Sequence, residues 1–121
     1  MEFINKIELR GVVGRADVNS YNGNRVINFT LITEYSARDK EGNATTEATW
    51  FNISYWEGRD PSVPAEVLDQ IGKGSWVHLV GRLRTRNYTT VDNEEKTALD
   101  VIAQSIKLVE RDDPFMQPQR D

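Results

Sequence analysis

Arginines and a tyrosine occupy alternate positions at Arg82, Arg84, Arg86 and Tyr88, and two tryptophans, Trp50 and Trp56, frame a second short stretch. Alternate side chains of an extended strand share a face, so the guanidinium row would lie on one side and Val77, Leu79 and Leu83 on the other. The same parity groups Trp50, Asn52, Ser54 and Trp56 on one face, backed by Phe51, Ile53 and Tyr55. At about 3.3 Å per residue the two indoles stand roughly 20 Å apart, a span that several unstacked nucleotides could occupy. Guanidinium groups bind phosphate in bidentate fashion and also stack on flat rings. Indoles offer bases a platform worth about 1–3 kcal/mol per base. The implied chemistry is the holding of a polyanion that carries aromatic rings.

Taken singly, these residues have plainer readings. An exposed arginine is usually a solvated charge, and a strand tryptophan usually belongs to a core or a subunit contact. The groove reading rests on two segments that both place aromatic or cationic groups where plain polar ones are expected. Trp76 and His78 share the face of the arginines and are open to a second reading as a subunit interface. Phe29 has the parity of Ile27 and Leu31 and is assigned to the core, whereas Tyr35, at the end of its stretch, could emerge into the groove.

Alternation and β-branched or aromatic enrichment predict five strands to position these groups, over residues 3–13, 25–35, 46–57, 75–87 and 97–109. SYNGN, RDKEGNATTE and NYTTVDNEEKT read as loops. Between the third and fourth strands, Pro64 suits a first helical turn, Val67, Leu68 and Ile71 make an apolar stripe, and Gly72 or Gly74 ends it. Five strands with one short helix between the third and fourth is the order of the OB-fold, an all-β Greek-key barrel that binds oligonucleotides or oligosaccharides. Gly11, Gly14 and Gly81 fall where a barrel must bend, and the core parity of the last strand is expected to shift between Val101 and Ile102, as at a bulge. The reading is one domain over residues 1–109 and a short, flexible acidic tail over 110–121.

Composition narrows the function classes. The chain has 121 residues, 38% hydrophobic and 28% charged, enough for one modest core. It has no cysteine and a single histidine, which removes disulfides, thiolate metal sites, cysteine nucleophiles and histidine clusters. No enzyme motif, cofactor or metal is expected. Absence of a long apolar run or a secretory-type start predicts no membrane association and a cytoplasmic location. The formal charge of −4 contrasts with the basic balance usual for nucleic-acid binders, but the last twelve residues hold Glu110, Asp112, Asp113 and Asp121 against Arg111 and Arg120, half of that excess. Of the other carboxylates, Asp39, Glu41, Asp92, Glu94 and Glu95 fall in apparent turns and Glu66 and Asp69 in the helix, where they are expected to point away from a cationic groove.

The runs NKIELRGVVGR, NFTLIT followed by RDKEGN, the TW pair, KGSWVHLVGRLRTRNYT and TALDVIAQSIKLVE occur in an order that resembles the bacterial single-stranded DNA-binding protein family, over about residues 4–109. The resemblance implies non-enzymatic, largely sequence-independent binding and protection of single-stranded DNA in replication, recombination and repair. It implies base stacking by Trp50, Trp56 and Tyr88, the residues parity already selects, with Tyr35 able to replace the aromatic that the family often has where Ala37 stands. Arg82, Arg84, Arg86, Lys96 and Arg15 are assigned to phosphates. A homotetramer paired through the first strand is implied, a dimer being the alternative. Phe51 stands where the family commonly has an interface histidine, and Asp112, Asp113, Pro114 and Phe115 resemble the family's partner-recruiting acidic tip, with six residues following. Competing readings are a primosome-type accessory protein with the same barrel, acting mainly through protein contacts, and a glycan-binding barrel, against which the aligned arginines argue.

Overall fold

The computed structural model describes residues 2–110; the tail beyond them, including Asp112, Asp113, Pro114 and Phe115, lies outside the described residues. Strands β1 (Ile7–Tyr21), β2 (Asn24–Arg38) and β3 (Ala44–Trp56) precede helix α1 (Val67–Gln70), and β4 (Trp76–Thr89) and β5 (Glu95–Val109) follow it. They close into one barrel in the order β1-β2-β3-β5-β4. All neighbouring pairs are antiparallel except β3 and β5, which run parallel from Asn52↔Asp100 to Ser54↔Ile102.

The interior is filled by the alternating apolar set that parity selects. Val13, Ile27, Phe29, Leu31, Ile53, Tyr55, Val77, Leu79, Val101, Ala103 and Ile106 are buried, and Val67, Leu68 and Ile71 join the same cluster from α1 and its C-terminal end. The Tyr55 hydroxyl accepts a hydrogen bond from the Asp60 amide at 3.2 Å, which satisfies the one polar end of that buried ring. Pro64 opens the turn leading into α1, its carbonyl accepting from the Val67 amide.

Strand limits differ from expectation at both ends of β1. Phe3 is 98% exposed and outside the strand, while SYNGN is not a loop: β1 runs to Tyr21 and β2 starts at Asn24. Asn22 and Gly23 have φ of 51° and 84°, the two left-handed residues that a tight type I′ hairpin requires. The β2–β3 and β4–β5 hairpins likewise extend to Arg38/Ala44 and Thr89/Glu95 as two-stranded arms. Beyond the barrel neither face of an arm packs on a core, so the apolar alternation that marks a strand in sequence disappears while the backbone ladder continues.

The bulge in the last strand lies further along than expected. Gly81 pairs with Ala103 and Val80 with Ser105, leaving Gln104 as the extra residue, so parity shifts after Ala103 rather than at Val101. A Cβ on Gly81 would collide with the carbonyl of Ile102 and stand 2.9 Å from the Ala103 Cα, so only glycine allows β5 to cross this close. A second bulge leaves Gly14 unpaired between Val13↔Leu31 and Arg15↔Thr30.

Candidate nucleic-acid interface

Register builds the site row by row across the outer face. Arg84 pairs with Asp100, Asp100 with Asn52, Asn52 with Thr30 and Thr30 with Arg15, so these five side chains form a transverse row on one side of the sheet. The adjacent row is Arg82, Ile102, Ser54, Asn28 and Asp17. Three concavities follow these rows. One holds Trp56 with Arg82, Arg84 and Arg59; the next holds Arg84, Arg86 and Arg15; the third holds Trp50 with Arg15 and Lys73. Arg84 is shared by the first two and Arg15 by the last two, so the concavities run together as one open track with an indole toward each end.

Trp50 is 62% and Trp56 40% exposed. Trp50 lies over Gly14, where a Cβ would stand 3.0 Å from the indole Cζ3. The glycine that makes the bulge thus also admits the ring. Trp56 is flanked by Tyr21, with ring centroids 6.0 Å apart at a tilt of 51°. Tyr21 was concealed in the segment read as a loop; the Asn-Gly pair was the signal that could have extended the strand to it. Ser54 donates to the Asn28 side-chain oxygen at 2.6 Å, and Gln104, the bulge residue, completes that part of the floor.

The cations are not equivalent. Arg82 makes no ion pair among the described residues, and Arg84 approaches Asp100 only at 3.9 Å. Arg86 donates from Nε to Asp100 at 2.7 Å and from Nη2 at 3.4 Å, and its Cζ lies 5.5 Å from the centre of the Tyr88 ring. Hydrogen bonding to Asp100 is the main reason the Arg86 pKa is raised. Arg15 meets Asp17 at 3.3 Å, both well exposed, and Lys96 meets Glu94 at 3.9 Å. The expectation that carboxylates avoid the groove therefore fails at Asp17 and Asp100, which share rows with the arginines. Both lie inside strands, away from the turns and the helix.

Tyr88 and Lys96 face each other on the β4–β5 arm, beyond the three concavities and on the face of Arg86. Tyr35 is 66% exposed on the β2–β3 arm, opposite Glu47, and lines none of the three; its parity is that of Leu31, the reverse of Trp50. Trp76 also lines none. His78 lies between two β1 side chains, its Nδ1 accepting from Arg10 Nε at 2.8 Å and its Nε2 2.7 Å from Glu8. With Nδ1 an acceptor, the neutral ring carries its proton on Nε2 and donates to Glu8.

A closed five-stranded barrel of this order, with one short helix between its third and fourth strands and a cationic, aromatic track across its outer face, is an OB-fold. The model of the single-strand binding protein family matches residues 4–109, and the chain belongs to that family. Single-stranded DNA-binding proteins of Neisseria meningitidis serogroups A and B are each 33% identical over 109 residues, covering 88% of this chain and 60% of theirs. That of Xanthomonas campestris is 30% identical over 108 residues, with the same coverage. The chain thus spans about three-fifths of the length of these curated relatives. Among solved structures, a Plasmodium falciparum SSB complex with ssDNA superposes with a TM-score of 0.76 at 26% identity, covering 91% of this chain and 98% of that one. A deletion mutant of the Thermus aquaticus single-stranded DNA binding protein gives 0.71 at 21% identity over 88% of this chain and 51% of that one, a likeness of fold.

Proposed function

We propose that this chain is a non-enzymatic, largely sequence-independent binder of single-stranded DNA that protects exposed strands during replication, recombination and repair in the cytoplasm. The observation that carries this reading is the continuity of the track: Trp50 and Trp56 stand at its two ends and Arg15, Arg84 and Arg82 along it, the alternation of flat rings and cations that an unpaired strand needs. Tyr88 and Lys96 extend it along the β4–β5 arm. Relatives named for single-stranded DNA binding and the likeness to a complex with ssDNA support the same choice of ligand. The floor is lined by short polar side chains, Asn28, Asn52 and Ser54, and stacking with phosphate attraction is tolerant of sequence.

The test is a titration of indole fluorescence with oligo-dT, oligo-U and duplex DNA at two salt concentrations. Quenching by oligo-dT that weakens steeply with salt, with little response to duplex, is expected. Unquenched indoles at saturating oligo-dT, or binding indifferent to salt, would refute it.

Assembly through the first strand is part of the proposal. Residues 7–12 of β1 pair with β4, whereas the β2 register begins at Val12 and β2 backbone already lies against Gly11, so among the described residues the other edge of residues 7–10 has no strand paired to it. A second copy could add there by backbone pairing, giving a dimer and, through a further pairing, a tetramer. Light scattering should then return a multiple of 13.8 kDa.

A further inference from the structure

Asp100 is the one buried charged residue among the described residues, 6% exposed, and it sits in the middle of a surface read as a track for a polyanion. A carboxylate there repels the ligand and is costly to desolvate without a compensating cation. Its partners supply one. Arg86 grips it with two donors, at 2.7 and 3.4 Å, whereas Arg84 stands at 3.9 Å and Arg82 makes no ion pair among the described residues. On its other side the Arg86 guanidinium lies against the Tyr88 ring.

We propose that Asp100 withholds Arg86 from DNA phosphates, so that phosphate attraction along β4 comes from Arg82 and Arg84 while Arg86 serves as a fixed support between Asp100 and Tyr88. A phosphate competing for Arg86 would have to break both short hydrogen bonds to the buried carboxylate and leave it only the longer 3.9 Å contact with Arg84, which costs more than an exposed phosphate contact returns. Asp100 is thus a positioning residue that sets how many charges the track presents. Arg82 and Arg84, the second at 3.9 Å from Asp100 and without a hydrogen bond to it, remain open to phosphate, and the third arginine is held where it stands.

The inference rests on the single-strand binding proposed above, and the experiment separates the two. The affinity of the chain for oligo-dT is measured between about 50 and 200 mM salt, where each phosphate neutralised on a single strand contributes about 0.7 to the slope of log K against log salt. Asp100→Asn should steepen the slope by about 0.7, because Arg86 becomes available. The double variant Asp100→Asn with Arg86→Gln should return to the slope of the unsubstituted chain, since it removes a pair that was already neutral. The double variant leaves no buried charge unpaired, so it decides the matter even where the single one folds poorly. A double variant whose slope falls by about 0.7 would show Arg86 bound to phosphate all along and overturn the assignment alone. An unsubstituted chain that does not bind oligo-dT would overturn both.

Discussion

Truncating the two track indoles tests the site most directly. Trp50 is 62% exposed, so about two-fifths of its surface is covered, chiefly around Gly14, Thr30 and Ile32. For a side chain of about 150–250 Å², that coverage corresponds to roughly 60–95 Å², or about 1.5–2.5 kcal/mol of stability lost in Trp50→Ala as an upper bound. A domain with about 5–15 kcal/mol of stability survives that loss. The functional cost is separate: one base loses its platform, about 1–3 kcal/mol, which weakens binding roughly 5- to 150-fold. Trp56→Ala should lose a similar amount of affinity, with more stability at risk because that ring is more covered and packs against Tyr21. The assay is tryptophan emission during titration with oligo-dT. Trp76 lines no part of the track, so emission should persist at saturation in the unsubstituted chain and become unresponsive to DNA in the Trp50→Ala, Trp56→Ala double variant. Unchanged affinity in that folded double variant, or quenching that survives in it, would refute the assignment of bases to these rings.

Two further outcomes concern the scaffold. Gly81→Ala places a methyl against the backbone of Ile102 and Ala103, which cannot yield as a side-chain tip would, and overpacking of about 1–3 kcal/mol should lower the melting temperature by roughly 5–20 °C on thermal denaturation. The Asp60 carboxylate is held below its ordinary pKa, first by hydrogen bonding with Ser105 and then with Ser62, whose amide and hydroxyl donate to it at 2.9 and 2.7 Å. A depressed folded-state pKa adds stability above the unfolded value that is lost as pH falls through the folded one, so Asp60→Asn should flatten the acid limb of stability in a pH series of chemical denaturation. An unchanged acid limb would remove Asp60 from the account.

The barrel and most of its track were legible because burial on one face imposes a period of two. Phe29, Leu31, Ile53, Tyr55, Val77 and Leu79 announce the inner face, and Trp50, Trp56, Arg82, Arg84 and Arg86 stand out only because their parity is opposite. Where a strand leaves the core the period carries no information, and there the expected strands stop short: Tyr21 and the outer ends of the two arms, residues 36–38, 44–45, 88–89 and 95–96, fall outside them. The role of Asp100 is not legible for a related reason, since a carboxylate inside an apolar run gives no hint of which cations lie across the sheet from it.

By itself, then, the order of residues determined the strand count, the inward set, the place of the helix and the family, all of which follow from local periodicity and contiguous motifs. Only the tertiary structure decided which groups are neighbours and which charges are spent. The register of β3 on β5 and β5 on β4 brings Asn52, Asp100 and Arg84 into one row, and it pairs Arg86 with the carboxylate that cancels it. Those contacts join segments far apart in the chain, and their energies depend on distance and desolvation, which arise only when the barrel closes.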